Sequence, residues 1–546
     1  MNPPARITRP ATHASRTRGS AIIVALLSLA IISVLAAGVL RTVVPRYQVS
    51  FQTAGWQESR LAAEAGVDLA LERLNANVAN LTTSSADWTG WKQDATTAAS
   101  GALFSQSKGT AVSGVVATGN ALTATPSIYL DNVDVSPAVG TAAAVDVQVC
   151  GLYPNPDSSL ANPWFRIRAM GTAALPGPAR SASDRMDTSL RRLSLKAPMR
   201  PALAANDILT PTTVPFPNAS RIVEVLARPV TAFTKALVTQ QDMTLGNSNG
   251  WQVNSYDSTD PNKSGTNGVY PGDNSPKIQS HGDIASNKAA ISPTTYGPQI
   301  AANGAQVLGS VSTNGGDNPT TTTFENVSGS GGIDQSRIDA NYYDPLKAAP
   351  VPSQSGYLIK PNYSAGAPFA ASGSTSTTAY YRVYANEAAL GSFTVSGTGK
   401  IAIIIDGDWN LGSGSRSFVT IPPGVQATIY VKGNIDFGNG LVNTNDASTK
   451  KPANLLIYGI PDPDANGNLP ARTLTGSGNP EIAAAFYGPS YSVTLSGTAE
   501  WYGALACYSY AINGGGNGGL HYDEALNSAG FIRKFEIASY LEDSRQ

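Results

Sequence analysis

The residues SAIIVALLSLAIISVLAAGVL, from Ser20 to Leu40, dominate the hydropathy pattern of this chain. They carry no charge for about 21 positions, and as an α-helix rising about 1.5 Å per residue they span the roughly 30 Å hydrocarbon core of a bilayer. The pattern therefore predicts a transmembrane anchor. Its apolar side chains include Ala21, Ile22, Ile23, Val24, Leu26, Leu27, Leu35 and Leu40.

The flank before this stretch is basic. Four arginines and no acidic residue lie within residues 1–19, and such a bias holds a short N-terminus in the cytoplasm. We therefore expect residues 1–19 to be a cytoplasmic leader and the chain after Arg41 to be exported. Two alternatives stay open. One is a buried core helix, and the other is a secretory signal peptide cut near residues 36–38, although its apolar part is usually only about 7 to 15 residues long.

The helix is predicted to continue beyond the membrane. With charged residues between them, apolar residues recur at helical spacing at Val67, Leu71, Leu74 and Val78. Pro45 lies between the two halves and should kink or briefly interrupt the helix, because its ring removes a backbone donor. One long, bent transmembrane and amphipathic helix is therefore expected over residues 20–79.

Composition limits the classes of function. A chain of 546 residues is too long for one compact core, so roughly two to four domains are expected. Only 14% of the residues are charged and the formal net charge is −1, so we expect no nucleic-acid partner. Cys150 and Cys507 are too few and too far apart for a disulfide framework or a zinc site. They form either one long-range disulfide or two buried thiols.

Strand patterns follow the helix. Residues 145–149 and 164–170 alternate apolar and polar side chains, as half-buried strands do. Strands that follow a long helix indicate a helix packed on a sheet, so residues 80–200 are predicted to form a β-rich head. Arg166 and Arg168 lie on one strand face, where they form either a basic patch or the solvated outer face of the sheet.

The rest of the chain is predicted to form β-rich coils. Residues 201–399 combine short apolar pieces with loops and linkers of Gly, Ser and Asn. In residues 400–546, strand-like units such as 400–405 and 427–431 recur imperfectly at about 17 to 27 residues, the range of β-solenoid coils. The predicted fold class is therefore α+β and mostly β, with a C-terminal β-helix (solenoid)-like domain. A β-sandwich is the competing fold.

Few residues are suited to catalysis. Asp406 and Asp408 form a DGD pair at a strand end, a weak candidate for a cation site against the alternative of a solvated turn. The cluster His-Tyr-Asp-Glu at 521–524 is interpreted as a polar cap that closes the solenoid. Trp501 and Tyr502 are interpreted as core residues, with glycan contact as the alternative. Because hydrolase, metalloprotease and nucleotide-binding signatures are absent, we expect no enzymatic activity, no cofactor and no metal.

The N-terminal residues also carry a family resemblance. Arg18-Gly19-Ser20-Ala21, the apolar run after it, and LAAEAGVDLALERL at residues 61–74 resemble PilX-type minor pilins and related type IV pilin-like proteins. In that family a prepilin peptidase cuts after a glycine that precedes the apolar helix. The resemblance therefore implies a processing junction at Arg18, Gly19 and Ser20, with cleavage after Gly19. It also implies three partners: prepilin peptidase, other pilin or pseudopilin subunits, and the bacterial inner membrane, with the C-terminal region exported to the periplasm or a cell-surface fibre.

One position departs from the family pattern. Major pilins carry a glutamate at the fifth residue of the mature chain, where this chain has Val24. Some minor pilins and pseudopilins at a fibre tip also lack that acid, so Val24 implies an accessory subunit of low copy number. The C-terminal segment, including residues 520–526, is similar to the uncharacterised β-rich domain often found behind PilX-type N-termini.

The resemblance and the residues together predict a function. We expect a minor pilin or pseudopilin-like structural subunit of a type IV pilus or type II secretion-like fibre, displaying a β-rich exported domain. One alternative is an envelope-anchored glycan-binding or polysaccharide-active β-helix protein. A plain single-span structural protein is the other. Absence of cleavage at Gly19 would favour this last class.

Overall fold

The structure is a computed structural model that describes the following residues: 17–78, 91–93, 110–111, 128–135, 143–151, 164–174, 218–246, 250–289, 299–314, 327–328, 332–351, 357–359, 369–375, 377–384, 391–412, 417–444, 450–513 and 518–543. These residues form one long N-terminal helix, a 7-stranded sheet and a 24-stranded sheet. The fold is therefore mostly β with a long apolar helix at its start, as the sequence predicted.

The helix α1 (Thr17–Ala76) is 60 residues long. It continues through Pro45, so the interruption considered for that position does not occur. Two hydroxyl side chains on its exposed surface, those of Ser28 and Thr53, form hydrogen bonds within the helix. The Ser28 hydroxyl donates to the Val24 carbonyl oxygen at 2.8 Å, and the Thr53 hydroxyl donates to the Val49 carbonyl oxygen at 2.9 Å. Such bonds remove the cost of placing a hydroxyl group in an apolar environment.

The C-terminal part of α1 packs on a sheet. Its buried face consists of small and apolar side chains at helical spacing, namely Ala63, Val67, Ala70 and Leu74. Two glycines allow this close contact. A Cβ atom on Gly171 of the sheet would lie 1.9 Å from the Ser59 carbonyl oxygen, and one on Gly66 of the helix would lie 2.5 Å from Val145 Cγ2. A larger residue at either position would push the helix away from the sheet.

The sheet under the helix, which we call the head sheet, takes its first six strands from the part of the chain before residue 232. They are β1 (Lys92–Gln93), β2 (Thr110–Ala111), β3 (Ile128–Asp134), β4 (Ala143–Gly151), β5 (Phe165–Ala174) and β6 (Asn218–Thr231). All pairings in this sheet are antiparallel. Alternate residues of β5, beginning with Phe165, are buried. The strands predicted at 145–149 and 164–170 are confirmed as parts of β4 and β5.

The 24-stranded sheet occupies residues 237–523, which we call the ladder region. Its strands are β7 (Leu237–Thr239), β8 (Met243–Thr244), β9 (Gln252–Tyr256), β10 (Ile284–Ala289), β11 (Ile300–Ala301), β12 (Gln306–Val307), β13 (Val311–Asn314), β14 (Val327–Ser328), β15 (Ile338–Asp339), β16 (Leu358–Ile359), β17 (Phe369–Ala370), β18 (Thr378–Val383), β19 (Phe393–Ser396), β20 (Gly399–Ile405), β21 (Trp409–Asn410), β22 (Phe418–Thr420), β23 (Val425–Val431), β24 (Ile435–Asp436), β25 (Leu441–Val442), β26 (Leu455–Gly459), β27 (Arg472–Gly476), β28 (Glu481–Ser496), β29 (Glu500–Asn513) and β30 (Gly519–Asp523).

These strands pair in parallel along three ladders. One contains β18, β20, β23 and β26, a second contains β21, β24 and β27, and a third contains β19, β22 and β25. In the first ladder Ile403 pairs with Ile429 and Ile429 with Ile457, and all three are fully buried. Parallel pairing of successive units differs from the antiparallel sheets of the β-sandwich considered from the sequence.

The ladders are not stacked in the order of the sequence. The late strand β29 pairs with the early strand β7, with Leu505 opposite Leu237. Strand β30 then lies between β29 and the early strand β9, and all of its residues are buried. The interpretation of residues 521–524 as a cap on the end of the stack is therefore wrong, because β30 has a strand on each side.

The chain returns to the head sheet at its end. The last strand, β31 (Ile532–Asp543), pairs antiparallel with β6, and Ile532 lies opposite Thr231. The order of the head sheet is β2-β1-β3-β4-β5-β6-β31. Residues 232–531 are therefore inserted between two neighbouring strands of the head sheet. The Arg533 guanidinium donates to the Thr231 carbonyl oxygen at 3.2 Å and so ties the two ends of the insertion together.

The predicted domain boundaries at residues 200 and 400 stay predictions. Strand β20 begins at Gly399 and pairs with strands on both sides of the second boundary. Strand β31 belongs to the head sheet, although it lies within the predicted C-terminal segment 400–546. The head sheet is thus built from residues on both sides of the ladder region.

Candidate functional site

The outer part of α1 exposes a continuous apolar surface. Val34 is 72% exposed, whereas Leu74 in the docked part of the same helix is fully buried. Among the predicted anchor residues, the side chain of Ala21 lies outside the described residues. The others are exposed, namely Ile22, Ile23, Val24, Leu26, Leu27, Leu35 and Leu40. Because water solvates such a surface poorly, this part of the helix requires lipid or protein around it.

Length and composition suit this helix to a membrane. In the part of the chain that the structure describes, one helix is long and apolar enough to cross a bilayer, the segment Ile22–Ala76. None of its most apolar 18-residue stretch is buried against the rest of the chain. The helix therefore meets the physical requirement for a membrane anchor.

The predicted processing junction lies at the start of α1. Arg18, Gly19 and Ser20 belong to the first turn of the helix, and their side chains lie outside the described residues. Further along the helix, a Cβ atom on Gly38 would meet no atom within 4 Å, so this glycine has no close packing partner within the described chain. The surface around it is free for contact with another helix.

Asp406 and Asp408 are engaged in the ladders. Asp406 lies 2.6 Å from Arg382 Nε and 3.2 Å from Lys432 Nζ. Burial raises the pKa of Asp406, but the hydrogen bonds and charges of Arg382 and Lys432 outweigh it and lower the pKa. Asp408 accepts from the Asn434 backbone N–H at 2.7 Å. Among the described residues, no three His, Cys, Asp or Glu side chains are placed to hold a metal ion.

His521 lies at the centre of a polar cluster on β30. Its Nδ1 is 2.9 Å from Asn254 Oδ1 and its Nε2 is 2.7 Å from Glu500 Oε2. The imidazole ring also stacks on Tyr270 and Tyr502, with ring centroids 3.9 and 5.1 Å away. His521 is buried, and both ring nitrogens have partners. The cluster therefore joins β29, β30 and β9 where the late and early strands meet.

Asp523 and Glu524 stabilise the same contact between the late strand β30 and the early strand β9. Glu524 accepts from the Ser255 hydroxyl at 3.0 Å and lies 2.8 Å from His281 Nδ1. Asp523 Oδ1 accepts from the Ser258 backbone N–H at 2.9 Å. Burial raises the pKa of Asp523 to about 6, and backbone hydrogen bonds act in the opposite direction. These polar groups bind the early and late strands to each other.

Three further residues named from the sequence lie in the packing of the ladder region. Trp501 is fully buried and donates from Nε1 to the Ala484 carbonyl oxygen at 2.9 Å, which confirms it as a core residue. Tyr502 is half-buried, and the Lys450 ammonium lies 5.3 Å from its ring centroid. Cys507 is a buried free thiol, so the long-range disulfide is not formed, and burial raises its pKa. The side chain of Cys150 lies outside the described residues.

The arginines of β5 do not form a basic patch. Arg166 and Arg168 alternate with buried residues and lie on the sheet face away from α1. Arg168 forms an ion pair with Glu224 of β6, which neutralises it. The two arginines therefore lie on the outer face of the sheet, but this face is less solvated than the sequence predicted, since the Arg168 side chain is only 13% exposed.

A cavity of about 800 Å³ opens where a loop of the early strands meets turns of the late strands. One wall is the loop between β9 and β10, including Ser258 and Lys277. The other wall contains Gly424 and the turn from Lys451 to Asn454. No sequence signal indicated this cavity, because its two walls are far apart along the chain and are brought together by the pairing of late strands with early strands.

Part of the ladder region is similar to a known protein family. Residues 375–529, which include β18 to β30, match a domain of unknown function (DUF7305). No curated protein matches the chain. A crystal structure of the competence-associated pilin ComZ from Thermus thermophilus is similar at 13% identity, over 89% of this chain and 97% of that chain. The TM-score is 0.22, and a similarity at that level carries no conclusion about this chain.

Proposed function

We propose that this chain is a minor pilin or pseudopilin-like structural subunit of a type IV pilus or type II secretion-like fibre. In this proposal a prepilin peptidase cuts between Gly19 and Ser20. The outer part of α1 then holds the subunit in the bacterial inner membrane and later packs against the helices of other pilin subunits. The head and the ladder region are exported, and the chain acts as a structural subunit without enzymatic activity or cofactor.

The division of α1 carries the proposal. Its docked part is buried against an antiparallel head sheet, whereas its outer part exposes apolar side chains on all sides, including Val24 and Leu35. A helix that is apolar around its whole circumference is stable in lipid or inside a bundle of helices. The same apolar surface can therefore contact lipid before assembly and the helices of other subunits in the fibre.

The ladder region supports a display role. We propose that its three parallel ladders are the faces of a β-solenoid, in which each coil covers the apolar edge of the previous one. The region enters from β6 and leaves into β31, so both of its connections come from one end of the head sheet. The ladder region is therefore attached to the head sheet through two neighbouring strands, β6 and β31. Val24, in place of the glutamate of major pilins, supports an accessory position in the fibre.

The mass of the N-terminus tests the proposal. The full-length chain is expressed in a bacterium with and without its prepilin peptidase, and the mass of the N-terminal peptide is measured. We expect a chain that begins at Ser20 only when the peptidase is present. Gly19→Val should abolish cleavage, because a branched side chain blocks the close approach that glycine allows.

Gly38→Val is the matched control for this experiment. It makes the same substitution in the same helix at a position where a Cβ meets no atom within 4 Å, and cleavage should continue. An unprocessed wild-type chain would refute the proposal and favour a plain single-span protein. A cut after Gly38 would favour a secretory signal peptide.

A second candidate function is favoured by the cavity in the ladder region. An envelope-anchored glycan-binding protein needs a concave polar site on its exported part, and the cavity of about 800 Å³ supplies one. This candidate is compatible with the same anchor and the same processing. It differs in assigning the exported domain a ligand.

A further inference from the structure

One wall of the cavity is preformed. The loop of residues 257–277 is held by its own hydrogen bonds, and the Ser264 hydroxyl donates to the Asp260 carbonyl oxygen at 2.7 Å. Gly268 has a φ of +77°, and a Cβ there would lie 2.3 Å from the Ser258 carbonyl oxygen. Only glycine fits this conformation and this contact, so the loop has a defined shape before any ligand binds.

Two lysines of the lining have no carboxylate partner among the described residues. Lys277 Nζ donates to the carbonyl oxygens of Pro261 and Ser264, at 2.8 and 2.7 Å, and keeps its charge uncompensated. Lys451 forms neither an ion pair nor a side-chain hydrogen bond with the described part of the chain. Its sequence neighbour Lys450, outside the lining, is paired with a glutamate. The cavity therefore combines two positive charges with no carboxylate in its lining.

The remaining lining groups define the class of ligand. Apart from Pro261 and Pro423, they are hydroxyl groups, side-chain amides and glycine backbone, which donate to and accept from sugar hydroxyls. The Lys451 ammonium, and the one N–H that Lys277 Nζ has left after its two bonds to carbonyl oxygens, can donate charge-assisted hydrogen bonds to a carboxylate. The lining contains no aromatic side chain, so it offers no platform on which a nucleic-acid base would stack.

We propose that this cavity binds an acidic oligosaccharide and that Lys277 and Lys451 recognise a uronate carboxylate. The volume of about 800 Å³ lies within the roughly 300 to 1,000 Å³ of ligand pockets. The site does not depend on the assembly role of the N-terminal helix, because its walls come entirely from the ladder region. Failure of N-terminal processing would leave this proposal untouched, and absence of saccharide binding would leave the assembly role untouched.

Calorimetric titration of the full-length protein in detergent micelles tests the site. The probes are an oligogalacturonate and a neutral oligosaccharide of the same length, at physiological ionic strength. We expect binding of the acidic probe only. Lys451→Glu should weaken that binding at least about tenfold, because it replaces a charge-assisted hydrogen bond with repulsion. Lys451→Met removes the charge with little change in volume, so it tests the same point if the glutamate variant fails to fold.

Lys347→Glu is the matched control, because Lys347 is exposed, lies outside the lining and changes the net charge by the same amount. Its affinity should equal that of the wild type. The proposal is overturned if the wild type does not bind the acidic probe, or if the neutral probe binds equally well. Equal losses in the Lys451 and Lys347 variants would also overturn it, because they would indicate a general charge effect. Binding of a short oligonucleotide with the same dependence on Lys451 would replace the saccharide assignment with a general polyanion site.

Discussion

Replacing Gly171 with alanine should loosen the contact between α1 and the head sheet. The added Cβ would lie 1.9 Å from the Ser59 carbonyl oxygen and 2.5 Å from the Ala63 backbone nitrogen, where an ordinary contact is 3.4–4 Å. Backbone atoms of a helix cannot rotate away as a side chain does, so α1 must move by roughly 1.5 Å in a close-packed core. Overpacking of this kind costs about 1–3 kcal/mol, and two backbone contacts place Gly171→Ala near the upper end.

Hydrogen exchange of the full-length protein in detergent measures this cost in the head alone. Because exchange reports the free energy of local opening, about 3 kcal/mol corresponds to a roughly hundredfold loss of protection in β5. Peptides of the ladder region, such as β23, should keep their protection. Gly38→Ala is the control, since a Cβ there meets no atom within 4 Å. Unchanged protection of β5 in Gly171→Ala, or equal losses in the two variants, would refute the argument from helix–sheet distance.

Two further perturbations test the ladder region and its insertion. Burial raises the pKa of Asp523 from 3.8 to about 6. Its contribution to stability is therefore complete below pH 4 and is lost as the pH rises to about 6, by up to about 3 kcal/mol. Asp523→Asn should remove this pH dependence of the unfolding midpoint, and a variant that kept it would contradict the burial argument. Replacing residues 232–531 with a short turn should leave the head folded, because Thr231 and Ile532 are already paired. Circular dichroism and protease resistance measure this, and a protease-sensitive head would show that it needs the ladder region.

Local sequence patterns predicted the helix and the strands well where burial of apolar side chains dominates the energetics. The run of apolar residues before Arg41 predicted a long apolar helix, and the structure leaves this part of the helix exposed, as a buried core helix would not be. The β-branched residues around Ile403 and Ile429 indicated strands, and the structure buries both faces of the strand around Ile403 but only alternate residues of the strand around Ile429. The interruption predicted at Pro45 does not occur, because the rest of the 60-residue helix stabilises the turn that contains this proline.

The candidate site residues were predicted less well. Asp406 was considered for a cation, but the parallel register places Arg382 and Lys432 beside it, and these charges occupy the carboxylate. His521 was identified as unusual from its scarcity alone. Its partners Glu500 and Asn254 were missed, because a sequence does not show which strands become neighbours across hundreds of residues.

By itself the sequence determined the long apolar helix, its docked face and the strand-rich remainder, because each depends on residues close together in the chain. Only the tertiary structure decided that the head sheet closes with the last strand, that residues 232–531 are inserted into it, and that late strands stack on early ones. The lysine-lined cavity follows from that stacking. Parallel strands satisfy their backbone hydrogen bonds with any edge of matching length, so the choice of neighbour depends on the packing of the whole core.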